Sequence, residues 1–258
     1  MPSQRVVRVA KALPTPAQDV LRNARTALRR QLPPRTLTRL ERRLDPVAPH
    51  PYARGTPIDR YYIDHFFRRW NAPLGRGREI RGVVLEFYNT EYADAFGGWG
   101  RPDSPITAVE IVDVAQNPNA SVRADIADAP QLSSESFDVV ICTQVLQLVF
   151  DVQAAVATLA RILRPGGVLY VTVPGVSPSL GADFAGGGTD YWRFTSASIR
   201  ELLLRQFAAD SLTIDGYGNI LAALGSLHGL AAEEFSSAEL DYRDPAFETL
   251  IAARAVRS

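Results

Sequence analysis

Residues 137–174 read FDVVICTQVLQLVFDVQAAVATLARILRPGGVLYVTVP. FDVVICTQ (137–144) is nearly all apolar, as expected of a strand covered on both faces. DVQAAVATLARIL (151–163) carries a strong helical pattern, and Pro165, Gly166 and Gly167 stop it. GVLYVTVP (167–174) is a further apolar strand. Strand, helix and strand in this order imply a parallel sheet with a helical crossover.

Working outward, the same alternation extends on both sides. Upstream lie GVVLEFY (82–88), ITAVEIVDV (106–114) and the short ASVRAD (120–125), making 137–144 the fourth strand and 167–174 the fifth. Downstream, TSASIRELLLRQF (195–207) predicts a helix capped by Thr195. SLTIDGYG (211–218) and LIAARAVR (250–257) predict two late strands, with a helical segment, NILAALGSLHGLAAEEF, between them. In PIDRYYIDHFFRRW (57–70), Ile58, Tyr62, Phe66 and Trp70 share one face at i+4 steps, with Tyr61 and His65 beside them. Thr56 and Pro57 read there as N-cap and first helical residue. The expected fold class is α/β, with a mostly parallel sheet and helices on both faces.

Parallel sheets bind ligands beyond the carboxyl ends of their strands, at the point where strand order reverses. The acids fall there: Glu86 ends strand one, Asp113 strand two (with Glu110 as alternative) and Asp125 strand three. Gln144 and Gln147 follow strand four. Such carboxylates suit a ligand with hydroxyls and a positive centre. The stretch after strand one is unusual. Phe87-Tyr88-Asn89-Thr90 stands where a nucleotide-type pocket has glycines, and glycine returns only at Gly97–Gly98. Asn89 tolerates the left-handed region best and is the expected turn residue. Thr90 is the expected cap of EYADAF.

The chain has 258 residues, 28 basic and 28 acidic, with no net charge. That excludes a globally basic nucleic-acid binder. Residues 1–50 hold ten Arg and Lys11 against Asp19, Glu41 and Asp45, a local net of +8 that leaves −8 for the rest. Residues 17–31 and 36–44 read as basic helices. The expected division is a basic helical arm and proline-rich joint over 1–54, then one domain over 55–258. The arm is expected to dock on an acidic face of this chain or of a second copy. The single cysteine, Cys142, excludes an internal disulfide and a cysteine-rich metal cluster, and no metal is called for. No stretch of 18 apolar residues is present, so no membrane span is expected. The expected location is the cytoplasm.

ADIADAPQLSSESFDVVICTQVLQ and LARILRPGGVLYVTVP resemble the class I S-adenosylmethionine-dependent methyltransferases, in their type 11 branch. The resemblance covers about 55–257 and implies a Rossmann-like sheet with an antiparallel last strand and S-adenosylmethionine as cofactor. It places Glu86 at the acid of the first motif and Asp113 at the ribose. Asp125 and Ile126 fall beside the adenine, although Ile126 reads equally as core. Gln144 falls at the reactive end, with Tyr88, Asn89 and Thr90 in place of the usual glycines. DYWRFTSASIRELL is similar to a subgroup associated with sugar, polysaccharide and natural-product genes.

The acceptor side is expected in GADFAGGGTDYWRF (181–194). Tyr191 and Trp192 read as an apolar wall and Arg193 as a polar contact. Trp192 and Phe194 read equally as anchors of the following helix. His228 and Asp190 compete as general base. The expected activity is methyl transfer to a small-molecule hydroxyl. A non-catalytic methyltransferase-like subunit stands as its rival, on the altered first motif. A nicotinamide-dependent oxidoreductase is a weak second rival, because no GxGxxG follows strand one and Lys11 is the only lysine, which leaves no catalytic Tyr-Lys pair.

Overall fold

The computed structural model describes residues 45–48, 51–71, 79–179 and 189–258. The expected helices over 17–31 and 36–44, and residues 180–188 of the glycine-rich loop, lie outside these.

Seven strands form one sheet: β1 Gly82–Phe87, β2 Ile106–Asp113, β3 Val122–Arg123, β4 Phe137–Thr143, β5 Leu163–Pro174, β6 Leu212–Tyr217 and β7 Leu250–Val256. Their order is β3-β2-β1-β4-β5-β7-β6. β1 pairs in parallel with β2 and β4, and β4 with β5. β7 runs antiparallel to both its neighbours, so it alone is reversed. This is the Rossmann-like methyltransferase sheet that the resemblance implied. The order reverses between β1 and β4, which makes that gap the switch point.

Helices cover both faces. α1 (Ile58–Trp70), α4 (Ile220–Leu227) and α5 (Ser237–Asp241) lie on one; α2 (Val152–Ile162) and α3 (Ser196–Leu203) lie on the other. The pleat sends alternate residues of a central strand to opposite cores. Val140 and Cys142 of β4 face the α2/α3 side, while Val139 and Ile141 face the α1 side. Cys142 is fully buried, and burial pushes its thiol up, away from reactivity.

Local signals explain most boundaries. Asp151 caps α2 by accepting the Ala154 N–H, and Thr195 caps α3 in a reciprocal pair with Ser198. Gly82 opens β1 at φ +67°, and a Cβ there would sit 2.2 Å from the Asp138 carboxylate. The shortest strand is β3, two residues rather than the expected six. α1 differs from expectation at its start. Pro57 is its N-cap, and the Thr56 backbone and hydroxyl bind Glu233 instead. Its buried face adds Ile63 and Phe67 to Ile58, Tyr62 and Phe66, while Trp70 is only partly buried and His65 is exposed. The joint before α1 is seated on the body. Arg54 is buried and makes a bidentate pair with Glu234, and the Ala48 N–H donates to His228 O.

Candidate active site

The first wall of the switch point is the turn after β1. Its sharp residue is Tyr88, at φ +72°, and not Asn89 as expected. The Asn89 N–H closes a three-residue turn on Phe87 O at 2.9 Å, a conformation that is rare and strained. Three further bonds impose it. The Tyr88 N–H donates to Val112 O, its carbonyl accepts from Asn117 Nδ2, and the Asn89 carboxamide accepts the Glu91 N–H. The Tyr88 ring is left 64% exposed.

The next segment, Ala93–Gly97, is a π-helical turn rather than a Thr90-capped helix. Glu86 does the capping. Its two oxygens accept the Tyr92 and Ala93 N–H groups at 2.8 and 2.9 Å. Thr90 donates its hydroxyl to Asp94. Burial pushes the Glu86 carboxyl up to about 8, against the pull of those two donors, and nearby Glu91 and Asp94 add to the rise. Glu86 therefore lies beneath the turn, at 1% exposure, and does not line an opening.

Asp113 ends β2 one step beyond the Phe87–Val112 pair, level with Tyr88. Its carboxylate accepts the Ala115 N–H and Asn117 Nδ2, and the same Asn117 amide holds the Tyr88 carbonyl. The structure thus joins Asp113 and Tyr88 through a residue that sequence reading missed. An Asn four places after a strand-end acid was the available signal. Glu110 is occupied by the Ser121 hydroxyl. Asp125 is exposed two residues beyond β3 and accepts the Ala127 N–H. Ile126 is buried within the α2/α3 core.

The second wall is the turn after β4. Gln144 sits at φ +54°, so both strands that flank the switch point end on non-glycine residues in the left-handed region. Such strain concentrates at binding sites. The Gln144 N–H donates to Thr172 O of β5. Gln147, 3% exposed, donates its Nε2 to Gln144 O at 2.9 Å and to Gln144 Oε1 at 3.3 Å. Three buried polar atoms here have no protein partner: Gln144 Nε2, Gln147 Oε1 and Thr172 Oγ1.

The residues expected on the acceptor side hang from this turn. The Tyr191 and Trp192 N–H groups both donate to Gln147 O, and Trp192 Nε1 donates to Val149 O at 3.0 Å. Phe150, which sequence reading missed, packs edge-on against Tyr191 and tilted against Trp192. Phe194 is the buried anchor of α3. Arg193 is fully engaged: it makes a bidentate pair with Asp190 and donates to the Ser177, Pro178 and Trp192 carbonyls. His228 is the C-cap of α4, half-buried beside the joint, with Nδ1 unpartnered. A separate hollow lined by Asp64, Arg68, Asn71, Phe96 and Arg101 lies near the amino ends of β1 and β2, where Gly97 packs on Ile80 and Ile106. It is remote from the strand ends that carry the site.

A methyltransferase-domain family model matches residues 103–171. Among curated proteins, the chain is 24% identical to a ubiquinone biosynthesis O-methyltransferase of Agrobacterium fabrum, over 45% of this chain and 63% of that one. It is 25% identical to the corresponding protein of Sinorhizobium medicae, over 45% and 64%. The chain thus spans under two thirds of the length of these relatives. Among solved structures it resembles an S-adenosylmethionine-dependent methyltransferase of Mesorhizobium loti (16% identity, TM-score 0.47, 78% of this chain and 98% of that one). Another is phosphoethanolamine N-methyltransferase 2 of Haemonchus contortus (14% identity, TM-score 0.48, 83% and 54%). The matched segment runs from the approach to β2 into β5, across the strands that build the second wall.

Proposed function

We propose that this chain transfers a methyl group from S-adenosylmethionine to a hydroxyl of a small-molecule acceptor, such as a sugar, polysaccharide or natural product. The observation that carries the reading is the pair of strained turns, at Tyr88 and Gln144, that flank the switch point. The family match and the O-methyltransferase relatives support it.

The residues present fit the cofactor. Asp113 keeps lone pairs for a ribose diol, and the exposed Asp125 is assigned to the adenine, whereas Ile126 belongs to the core. Gln144 brings an unpartnered buried donor to the reactive end. The exposed Tyr88 ring offers a π-face to a cation, an attraction of about 0.5–2 kcal/mol. When bound, the cofactor supplies a sulfonium-borne methyl group, whose transfer to an acceptor oxygen leaves a thioether and a proton. The chain supplies alignment for an in-line displacement. Asp190 is the candidate base on the acceptor side, and it must exchange its Arg193 partner to take the proton. His228 is the other candidate.

Titration calorimetry with S-adenosylmethionine tests the reading. Saturable one-to-one binding is expected, weakened about 10-fold or more in Asp113→Ala through loss of charge-assisted hydrogen bonds. Absence of binding by the native chain overturns the reading in favour of a non-catalytic methyltransferase-like subunit.

A further inference from the structure

α4 is turned inside out for a surface helix. Its small residues pack on the body. Ala222 and Ala223 are buried, and a Cβ on Gly225 would sit 2.6 Å from the Phe235 ring and 2.9 Å from Ile58. Its large apolar residues lie outward. Ile220 is 49% exposed and Leu227 42%, with Leu224 half-buried between them at steps of four and three. Ser226 is the one polar side chain of the helix, and none is charged. Tyr242 is also exposed and extends the patch, because Asn219 at the head of α4 donates to its carbonyl. A surface helix gives its outer face to polar residues, so an apolar outer face marks a contact.

The chain itself carries a matching segment. Ala48 is fastened to the far end of α4: its N–H donates to His228 O at 3.0 Å, and Gly229 packs against it. Asp45, Pro46 and Val47 separate Ala48 from Leu44, a span of at most about 14 Å. The preceding TLTRLERRL (36–44) therefore ends within that reach of Leu227. Pro34 and Pro46 bound it, and Leu37, Leu40 and Leu44 recur at steps of three and four, on one helical face. Leu37 to Leu44 and Ile220 to Leu227 each rise about 10 Å as helix. The two stripes are thus equal in length.

Charge agrees with the fit. Arg39, Arg42 and Arg43 stand against Glu41 in 36–44. The segment 231–248 runs back along α4, with Phe235 on Gly225 and the Glu239 carbonyl on Asn219 Nδ2. It holds six acids against Arg243, and Glu239 and Asp241 are exposed. A second copy could offer the same leucines, but the tether at Ala48 gives the chain's own segment the higher effective concentration.

We propose that residues 36–44 dock in cis on the outer face of α4, with Leu37, Leu40 and Leu44 against Ile220, Leu224 and Leu227 and the arginines towards Glu239 and Asp241.

Disulfide trapping in the full chain tests this, since the native Cys142 is buried. Leu40→Cys combined with Leu224→Cys should cross-link on mild oxidation within one chain, seen as a faster-migrating monomer on non-reducing gels. A cross-linked dimer in its place would give the face to a second copy and overturn the proposal, and no cross-link would overturn it too. Trypsin supplies an independent readout, because 36–44 holds three of its cleavage sites. Leu227→Asp, at an exposed position that the fold tolerates, should speed cleavage within 36–44 about tenfold, the effect of losing one buried leucine contact. Equal rates for the variant and the native chain would overturn the docking.

Discussion

The two turns that flank the switch point share a backbone and differ in chemistry. Each follows a central strand, and each bends through a non-glycine residue at positive φ. The turn after β1 satisfies itself: Glu86 holds two N–H groups, Asn89 a third, and Asn117 fastens the Tyr88 carbonyl to Asp113. The turn after β4 does not, since Gln144 Nε2 and Gln147 Oε1 are buried and unpaired. Buried polar groups without partners are costly, so they persist where a ligand or water completes them. The first turn is a finished support, and the second keeps buried polar atoms without a protein partner.

The largest expected effect breaks the finished turn. Glu86→Ala orphans two buried N–H donors at roughly 1–3 kcal/mol each, so urea denaturation should show a loss of about 2–4 kcal/mol. A loss below about 0.5 kcal/mol would mean that the turn is held from elsewhere, and that the contrast between the walls is not one of self-sufficiency.

A second effect is in pH. The Glu86 carboxyl is raised from 4.5 to about 8 in the folded chain. The folded state therefore holds this proton more tightly than the unfolded state. The associated stability is full below about 4.5 and is lost as pH rises through about 8. Melting midpoints of the native chain should fall between pH 5 and 9 more than those of Glu86→Gln, which stays neutral throughout. Parallel curves would show that the carboxyl titrates normally.

The two walls also differed in how far the sequence disclosed them. Where strand and helix limits were legible, their causes are local. Asp151 and Thr195 cap helices by bonds to residues three places on, and β4 is apolar because both its faces are covered. The strand-end acids were legible by position. The turn residue was not. Intrinsic preference selects Asn89 for the left-handed region, but β2 and Asn117 grip both sides of Tyr88 and impose the turn one place earlier. Gln147 was read only by its place after β4, and Phe150 was missed, for a similar reason. A carboxamide's unused hydrogen bonds and a ring's neighbours are properties of the folded pair, and the Gln-x-x-Gln spacing was the one trace in the chain.

The smallest effects decide which residue turns the chain after β1. A non-glycine residue in the left-handed region costs about 1–2 kcal/mol, and glycine returns roughly 0.5–1 of that as lost backbone entropy. Tyr88→Gly should therefore be neutral to stabilising, by up to about 1 kcal/mol, while removing the exposed ring proposed to face the sulfonium. Its cofactor affinity should fall about two- to tenfold as its stability holds or rises, a split that a purely structural role would not give. Tyr88→Val should lose stability, because a β-branched side chain resists positive φ. Asn89→Val needs no such conformation. It forfeits one carboxamide bond to the Glu91 N–H, a cap worth about 1 kcal/mol or less. Urea denaturation of the three variants beside the native chain gives the order. If Asn89→Val proves the most damaging, the turn belongs to Asn89 in solution and the assignment to Tyr88 fails.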